Sequence, residues 1–355
     1  MSDVLKGFVS GNFAYLTAWF LPSFVAAGAY LALVVPQLTA LPVYRWFESQ
    51  PAPFTTVTIA ASGVVLGVVL STASTPIYRV FEGYSILPFK ARLRARMLRQ
   101  RNRLLEQFRT AQEGGAGYAV NLILESMQKF PSADNEVLPT RVGNAIRAFE
   151  TYAWREYQMD SQSLWEPLWS VTPQQLRDDY DQARAGVDFC VGTIVTLTLV
   201  GVATLVSVLG LWIIGKPVPL GLLLGGGVAP LLVTRCFYLL AVSASFTWGI
   251  AVKGIVNCGR VPMAAALGLQ MPTSLEEERA MWRLVSRFVR ESSPESDWEG
   301  ADNFDRFRLG STKAVTEPGA SSQEDATVKD ARVADVVTSR YFEAVRRRWM
   351  HLRRR

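Results

Sequence analysis

Histidine is nearly missing from this chain: the single one is His351, inside a basic stretch near its end. A Ser–His–Asp or Cys–His constellation would have to recruit that one residue, and a histidine-built zinc site has no donor set. Cysteine is almost as scarce. Cys190, Cys236 and Cys258 are the three present, and none forms a Cys-x-x-Cys pair. An odd, widely spaced set reads as reduced thiols rather than a disulfide framework. No G-x-x-x-x-G-K-[ST] phosphate loop occurs. No catalytic residue, cofactor or metal is therefore expected. Charge is short as well: Asp, Glu, Lys and Arg make up 19% of the chain, against about 25% in ordinary soluble proteins. The shortage is uneven. Long stretches carry no charge at all, while the net +6 comes largely from Lys90 to Arg109 and from the last ten residues.

The uncharged stretches are long enough to cross a bilayer, which takes about 20 helical residues. The first covers Phe13 to Val35 and contains Pro22. Ala27-Gly28-Ala29 has the form of a cleavage site, yet the apolar run continues past it and only Lys6 precedes it, so a retained helix is expected. The second runs from about Phe54 to Ser74 and holds Gly63 and Gly67. The third extends from about Phe189 to Ile214, and the fourth begins near Leu220 with Gly221 and Gly225. Glycines one turn apart let helices approach closely, so Gly63, Gly67, Gly221 and Gly225 are expected to serve helix packing. A crossing that ends near Phe237 leaves Arg235 at the interface; one shifted toward Val256 buries it. The third stretch is rich in threonine (Thr193, Thr196, Thr198, Thr204) together with Ser207. Such hydroxyls either bond back to their own helix or line a polar path.

Between the apolar hairpins the chain changes character. Eight basic residues fall between Lys90 and Arg109, with Leu93, Met97, Leu104 and Phe108 at helical spacing. This pattern predicts a basic amphipathic helix that meets anionic lipid through Arg92, Arg96, Arg99 and Arg103. Gln112 to Gly117 ends it. Residues 118–186 read as a small helical segment, in which Val142, Ile146, Phe149 and Ala153 share a buried face. Pro272, with Thr273 or Ser274 and Glu276 or Glu277, marks the start of a helix from Leu275 to Arg290. Residues 292–330 have the composition of a disordered linker, and 331–355 that of a basic amphipathic tail. The expected organisation is a hairpin at 1–75, a cytoplasmic helical domain at 76–186, a second hairpin continuing into a helix at 187–258, and a further helix at 259–291, followed by linker and tail. The fold class is all-α, an integral membrane helical bundle. The two outer loops hold only Arg45 and Lys216 as basic residues, so the positive-inside bias places the central domain and both termini in the cytoplasm.

Three stretches resemble a family of uncharacterised actinobacterial multi-pass membrane proteins: YRVFEGY at Tyr78 to Tyr84, the segment Leu138 to Trp169 with its Pro139-Thr140-Arg141 and Gly143-Asn144 motif, and Tyr238 to Arg260 with Pro272 to Trp282. The chain departs from the family at Glu156-Tyr157-Gln158 and at Trp165-Glu166-Pro167-Leu168. The resemblance implies a membrane protein and brings no activity with it. Its matched positions Arg141, Asn144, Arg147, Glu150, Asp160 and Trp165 are the candidate interaction residues. The function expected is a non-enzymatic sensing, recruiting or scaffold component of a bacterial plasma membrane. Its partners are anionic lipids, further copies of itself and a cytoplasmic protein; nucleic acid is not expected, because no recognition module accompanies the basic helix. The alternatives are an oligomeric channel or membrane-permeabilising effector, and a membrane enzyme using carboxylates near Glu150 and Asp160.

Overall fold

A computed structural model describes residues 13–38, 40, 42–84, 89–115, 117–290 and 306–309. Apart from 306–309, the expected linker at 292–330 lies outside the described residues, as do the tail at 331–355 and His351. The described elements are all helical, with one isolated bridge between Leu269 and Arg308. In chain order they are α1 (Phe13–Ala29), α2 (Pro42–Glu48), α3 (Ala52–Thr72), α4 (Ser74–Glu82), α5 (Lys90–Glu113), α6 (Gly117–Met127), α7 (Arg141–Glu150), α8 (Tyr152–Tyr157), α9 (Trp165–Val171), α10 (Gln174–Ile213), α11 (Ala229–Ala266) and α12 (Leu275–Arg290). A π-helical segment, Tyr30–Val34, continues α1, and another, Leu222–Val228, precedes α11. Among the described residues, four helical stretches are long and apolar enough to cross a membrane: Thr17–Leu38, Ala52–Thr72, Gln174–Ile213 and Leu222–Ala266. Each expected crossing falls on one of them. The protein is thus an all-helical chain with a bundle of four membrane-length helices.

The chain divides into two compact units. The first comprises residues 1–149 and 178–251. Its packing follows from where small residues let large ones in. Gly63 and Gly67 on α3 sit under the Phe24 and Phe20 rings of α1, and a Cβ at Gly67 would lie 2.7 Å from the Phe20 ring. Trp19, Leu70, Val187 and Val191 close a core around this contact. Pro22 has no N–H to offer the Ala18 carbonyl, four residues earlier. Gly192 of α10 lies beside that oxygen, where a Cβ would stand 3.1 Å away. Farther along, Gly227 receives Leu205 and Gly201 receives Leu231, whereas a Cβ at Gly221 or Gly225 would meet nothing within 4 Å. Close packing of the third and fourth crossings therefore runs through Gly201 and Gly227.

Several polar groups inside this unit are satisfied in pairs and triplets, although the buried Trp248 indole N–H has no hydrogen-bond partner among the described residues. Tyr30 and Tyr44 share a hydroxyl contact of 2.9 Å, and Ser207 completes the group at 3.1 Å from Tyr44. Tyr78 donates to the buried carboxylate of Asp188 at 2.7 Å, with Arg184 one turn away at 3.9 Å. The hydroxyls of Thr193, Thr198, Thr204 and Ser207 donate to carbonyls four residues back, and Thr196 to one three back. Each of these hydroxyls satisfies its own helix, which is the commoner use of threonine at such positions.

The second unit comprises residues 150–177 and 252–355. Its core is Met159, Leu164, Leu168, Ile255, Met263, Met281 and Trp282, all fully buried. Gly259 admits Leu168, whose side chain would lie 2.6 Å from an added Cβ. Ser274 caps α12 by accepting the Glu277 N–H at 3.3 Å, and three glutamates in the first turn with Arg287 and Arg290 in the last suit the helix dipole. The capping reading of the sequence and the bounds of α12 both hold. Inside, Glu278 accepts from Arg260 at 3.1 Å and from the Trp282 indole at 3.2 Å. The Arg260 guanidinium also lies over the Tyr157 ring, 4.6 Å from its centroid. The segment 306–309 is tied on by backbone bonds, Gln270 N–H to Phe307 at 2.7 Å and Leu309 N–H to Gly268 at 2.9 Å.

Candidate functional site

The strongest concentration of unpaired charge lies in the first unit, on α5. The arginines of this helix divide into two sets by what they face. Arg94 and Arg101, seven apart, turn to the segment Pro131–Val137. Arg94 donates to the carbonyls of Val137 at 2.9 Å and Asp134 at 3.0 Å. Arg101 donates to the Pro131 carbonyl at 3.1 Å and pairs with the Asp134 carboxylate. This segment has only one short helical turn of its own, Asp134–Glu136, and the two arginines tie it to α5. Arg96, Arg99 and Arg103 occupy another face, three and four residues apart. With Gln100 and Arg141 they line a cavity of about 680 Å³.

Arg141 reaches this place because the chain around it is held at many points. Thr140 caps α7 by accepting the Gly143 N–H at 3.0 Å. Asn144, fully buried, accepts the Leu138 N–H at 2.7 Å and donates to the carbonyls of Leu138 at 2.9 Å and Thr140 at 2.7 Å. Gly143 lies against the Glu82 carbonyl, so that any Cβ there would overlap it. Gly83 takes the left-handed conformation, φ +86°, that ends α4, and a Cβ on it would run into the Pro139 ring. The Tyr238 hydroxyl accepts the Arg141 N–H at 3.1 Å. The two motif stretches Tyr78–Tyr84 and Pro139–Asn144 are thus pressed together, and Arg141 is their outward product.

Arg96, Arg99 and Arg103 are exposed and Arg141 is half-buried. None of the four carries an ion pair among the described residues, and no acidic residue lines the cavity. Guanidinium groups gathered without a counter-charge repel one another and raise a positive potential that attracts anions. Their planar forks match phosphate and carboxylate oxygens two at a time.

The structure distributes the other sequence-derived candidates differently. Arg92 stands apart from the cavity, its guanidinium over the Phe89 ring at 5.4 Å. Arg147 approaches Glu136 at 3.9 Å. Glu150, Asp160 and Trp165 belong to the second unit, where Trp165 stacks on Trp169 with ring centroids 5.8 Å apart. Asn144 is scaffold: its amide is used up by the turn it closes. Gln100, Tyr238, Arg94 and Arg101 were not picked out from the sequence. No spacing separates Arg94 and Arg101 from the others, since Arg96 and Arg103 are also seven apart; only the segment packed beside them does. Among the described residues no group of three or more His, Cys, Asp or Glu side chains is placed to hold a metal ion.

A second cavity, of about 530 Å³, lies in the second unit and is bordered by Trp154, Asp160, Arg283, Arg287, Arg290 and Arg306. Here an acid is present. Burial alone would raise the Asp160 carboxyl, but the hydrogen bonds from Arg290, Ser163 and the Gln162 N–H, with the Arg290 charge, outweigh it and hold the group below its ordinary 3.8. A carboxylate with a depressed native pKa stabilises fully above its unfolded value, and that contribution is lost as pH falls through the native pKa. Asp160→Asn is therefore expected to destabilise the second unit at neutral pH, with the gap to the parent closing below pH 3.8. Limited proteolysis of the second unit during denaturation at several pH values reads this out. A gap that persists unchanged in acid would show that the carboxylate charge is not what matters.

No protein-family model matches the chain, and no match is found among curated proteins or solved structures.

Proposed function

We propose that this chain is a non-enzymatic, multi-pass component of a bacterial plasma membrane that senses or recruits an anionic partner through α5 and the start of α7. One observation carries this reading: Arg96, Arg99, Arg103 and Arg141 converge on one cavity that contains no acid. These four guanidiniums make no ion pair among the described residues, whereas the bonds of Arg94 and Arg101 hold the loop beside them. The apolar crossings carry their hydroxyls turned back into their own helices, which accounts for the threonine-rich third crossing as packing. The distribution of basic residues supports a cytoplasmic position for α5, α7 and both termini, with the turns at Arg45 and Lys216 outside. The likeness to actinobacterial membrane proteins and an oligomeric state belong to the same reading.

The test uses native membranes. A photo-crosslinking residue at Gln100, on the cavity wall, is expected to capture an acidic protein or an anionic lipid, and capture should fall when Arg96, Arg99 and Arg103 are all replaced by glutamine. Capture of nothing but other copies of the chain overturns the reading. So does a reporter inserted after Gly115 that is active outside the cell.

A further inference from the structure

The chemistry of the arginine cavity is narrower than general attraction to anions. Resting on the recruiting and sensing reading above, we propose that the cavity formed by Arg96, Arg99, Gln100, Arg103 and Arg141 is a discrete binding site for a diphosphate group, two adjoining phosphoryl units on one ligand.

The argument begins with charge density. Arg96 to Arg103 spans seven residues of helix, about 10 Å of axis at 1.5 Å per residue, and Arg141 joins them from a second helix. Four positive charges are thus collected at one small site. One phosphate carries about −1.5 to −2 at neutral pH, so a single phosphoryl group leaves the site strongly positive, whereas a second adjoining one removes more of the excess. An acidic peptide needs about four consecutive acidic residues, along about 10 Å of chain, to bring the same charge, and it enters the experiment below as a competitor.

The shape agrees. A volume of about 680 Å³ lies within the roughly 300–1,000 Å³ of small-molecule pockets and is larger than a lone oxyanion requires. The lining is four arginines and one glutamine, with no apolar residue to receive a peptide side chain. Gln100 adds an amide that can donate to a bridging or terminal oxygen.

Preorganisation is the third point. An adventitious patch of surface arginines has free backbones and long, mobile side chains. Here the cavity walls are built on fixed backbone: α5 is tied to Pro131–Val137 through Arg94 and Arg101, and the Arg141 N–H is held by Tyr238. Because it is the backbone of Arg141 that Tyr238 holds, changing its side chain leaves that bond in place. This makes Arg141→Gln a clean probe.

Two sources present the same chemistry, a soluble diphosphate and the head of a diphosphate-bearing lipid, and the experiment separates them. The full chain is purified and placed in nanodiscs of neutral phosphatidylcholine. Inorganic pyrophosphate is titrated calorimetrically in one arm; in the other, nanodiscs are prepared with a few mole per cent of a polyprenyl diphosphate and retention of that lipid is measured. The expected result is saturable binding of at least one ligand. Arg141→Gln and Arg99→Gln should each weaken it about tenfold, the size of one lost charge-assisted hydrogen bond, and Arg92→Gln should leave it unchanged. Binding of pyrophosphate assigns a soluble ligand, and retention of the lipid alone assigns a membrane one; both support the site. The proposal is overturned if neither binds, if Arg92→Gln weakens binding as much as Arg141→Gln, or if inorganic phosphate or a glutamate-rich peptide competes as well as pyrophosphate. The Gln100 crosslinking experiment keeps the two claims apart: capture of an acidic protein without diphosphate binding would remove the site and leave the recruiting reading standing.

Discussion

Replacing Asn144 by leucine is expected to destabilise the first unit by about 3 kcal/mol, since each orphaned buried backbone group costs roughly 1–3 kcal/mol. The side chain is fully buried, and its bonds to the Leu138 N–H and carbonyl have no substitute nearby. The Thr140 carbonyl is less affected, because the Asn144 N–H also donates to it, at 3.1 Å. Leucine fills a similar space, so the loss measures hydrogen bonding rather than a void. Asn144→Asp separates the two roles of the amide, keeping an acceptor for the Leu138 N–H while losing the donor. Thermal unfolding in detergent, with limited proteolysis of the 131–140 segment as a local readout, checks both. The leucine variant should be cut faster in this segment and should lose order at Arg141, which follows three residues after Leu138. An unchanged midpoint with unchanged proteolysis would refute the scaffold role given to Asn144.

Glu278→Ala is the second large effect, expected at about 3–5 kcal/mol, the range for removing one partner of a buried ion pair. The carboxylate is buried and joins Arg260 at 3.1 Å to the Trp282 indole at 3.2 Å. Alanine leaves a fully buried indole N–H without an acceptor and a guanidinium whose Nε already has no hydrogen-bond partner. Glu278→Gln keeps an acceptor for the indole and removes only the charge, so it should cost clearly less than alanine. Limited proteolysis of α12 reads the effect, and cutting should speed up as the second unit loosens. If glutamine and alanine prove equally damaging, the charge of the pair matters more than the indole bond; if neither has an effect, the second unit is not held at this point.

The sequence was most informative where one physical cost dominates. Hydrocarbon excludes charge and demands that the backbone bond to itself, so an uncharged run of sufficient length becomes a helix wherever its neighbours lie. Ser274 and Glu277 are similarly local, and α12 begins where they place it. The apolar face of Val142, Ile146, Phe149 and Ala153 is buried as its spacing implies, although a break at Thr151 puts Ala153 on the following short helix.

What stayed hidden depends on contacts between distant parts of the chain. Seven arginines of α5 look alike in sequence; only their neighbours separate Arg94 and Arg101, which hold a loop, from Arg96, Arg99 and Arg103, which face open space. Gly143 and Gly83 lie in the motif stretches, but only the structure shows the Glu82 carbonyl and the Pro139 ring against them. Length and apolarity alone determined the membrane-length helices of this protein. Tertiary structure alone decided that Arg141 joins a basic helix some forty residues earlier, because that placement is set by van der Waals exclusion and hydrogen bonds across the fold, and no local periodicity encodes it.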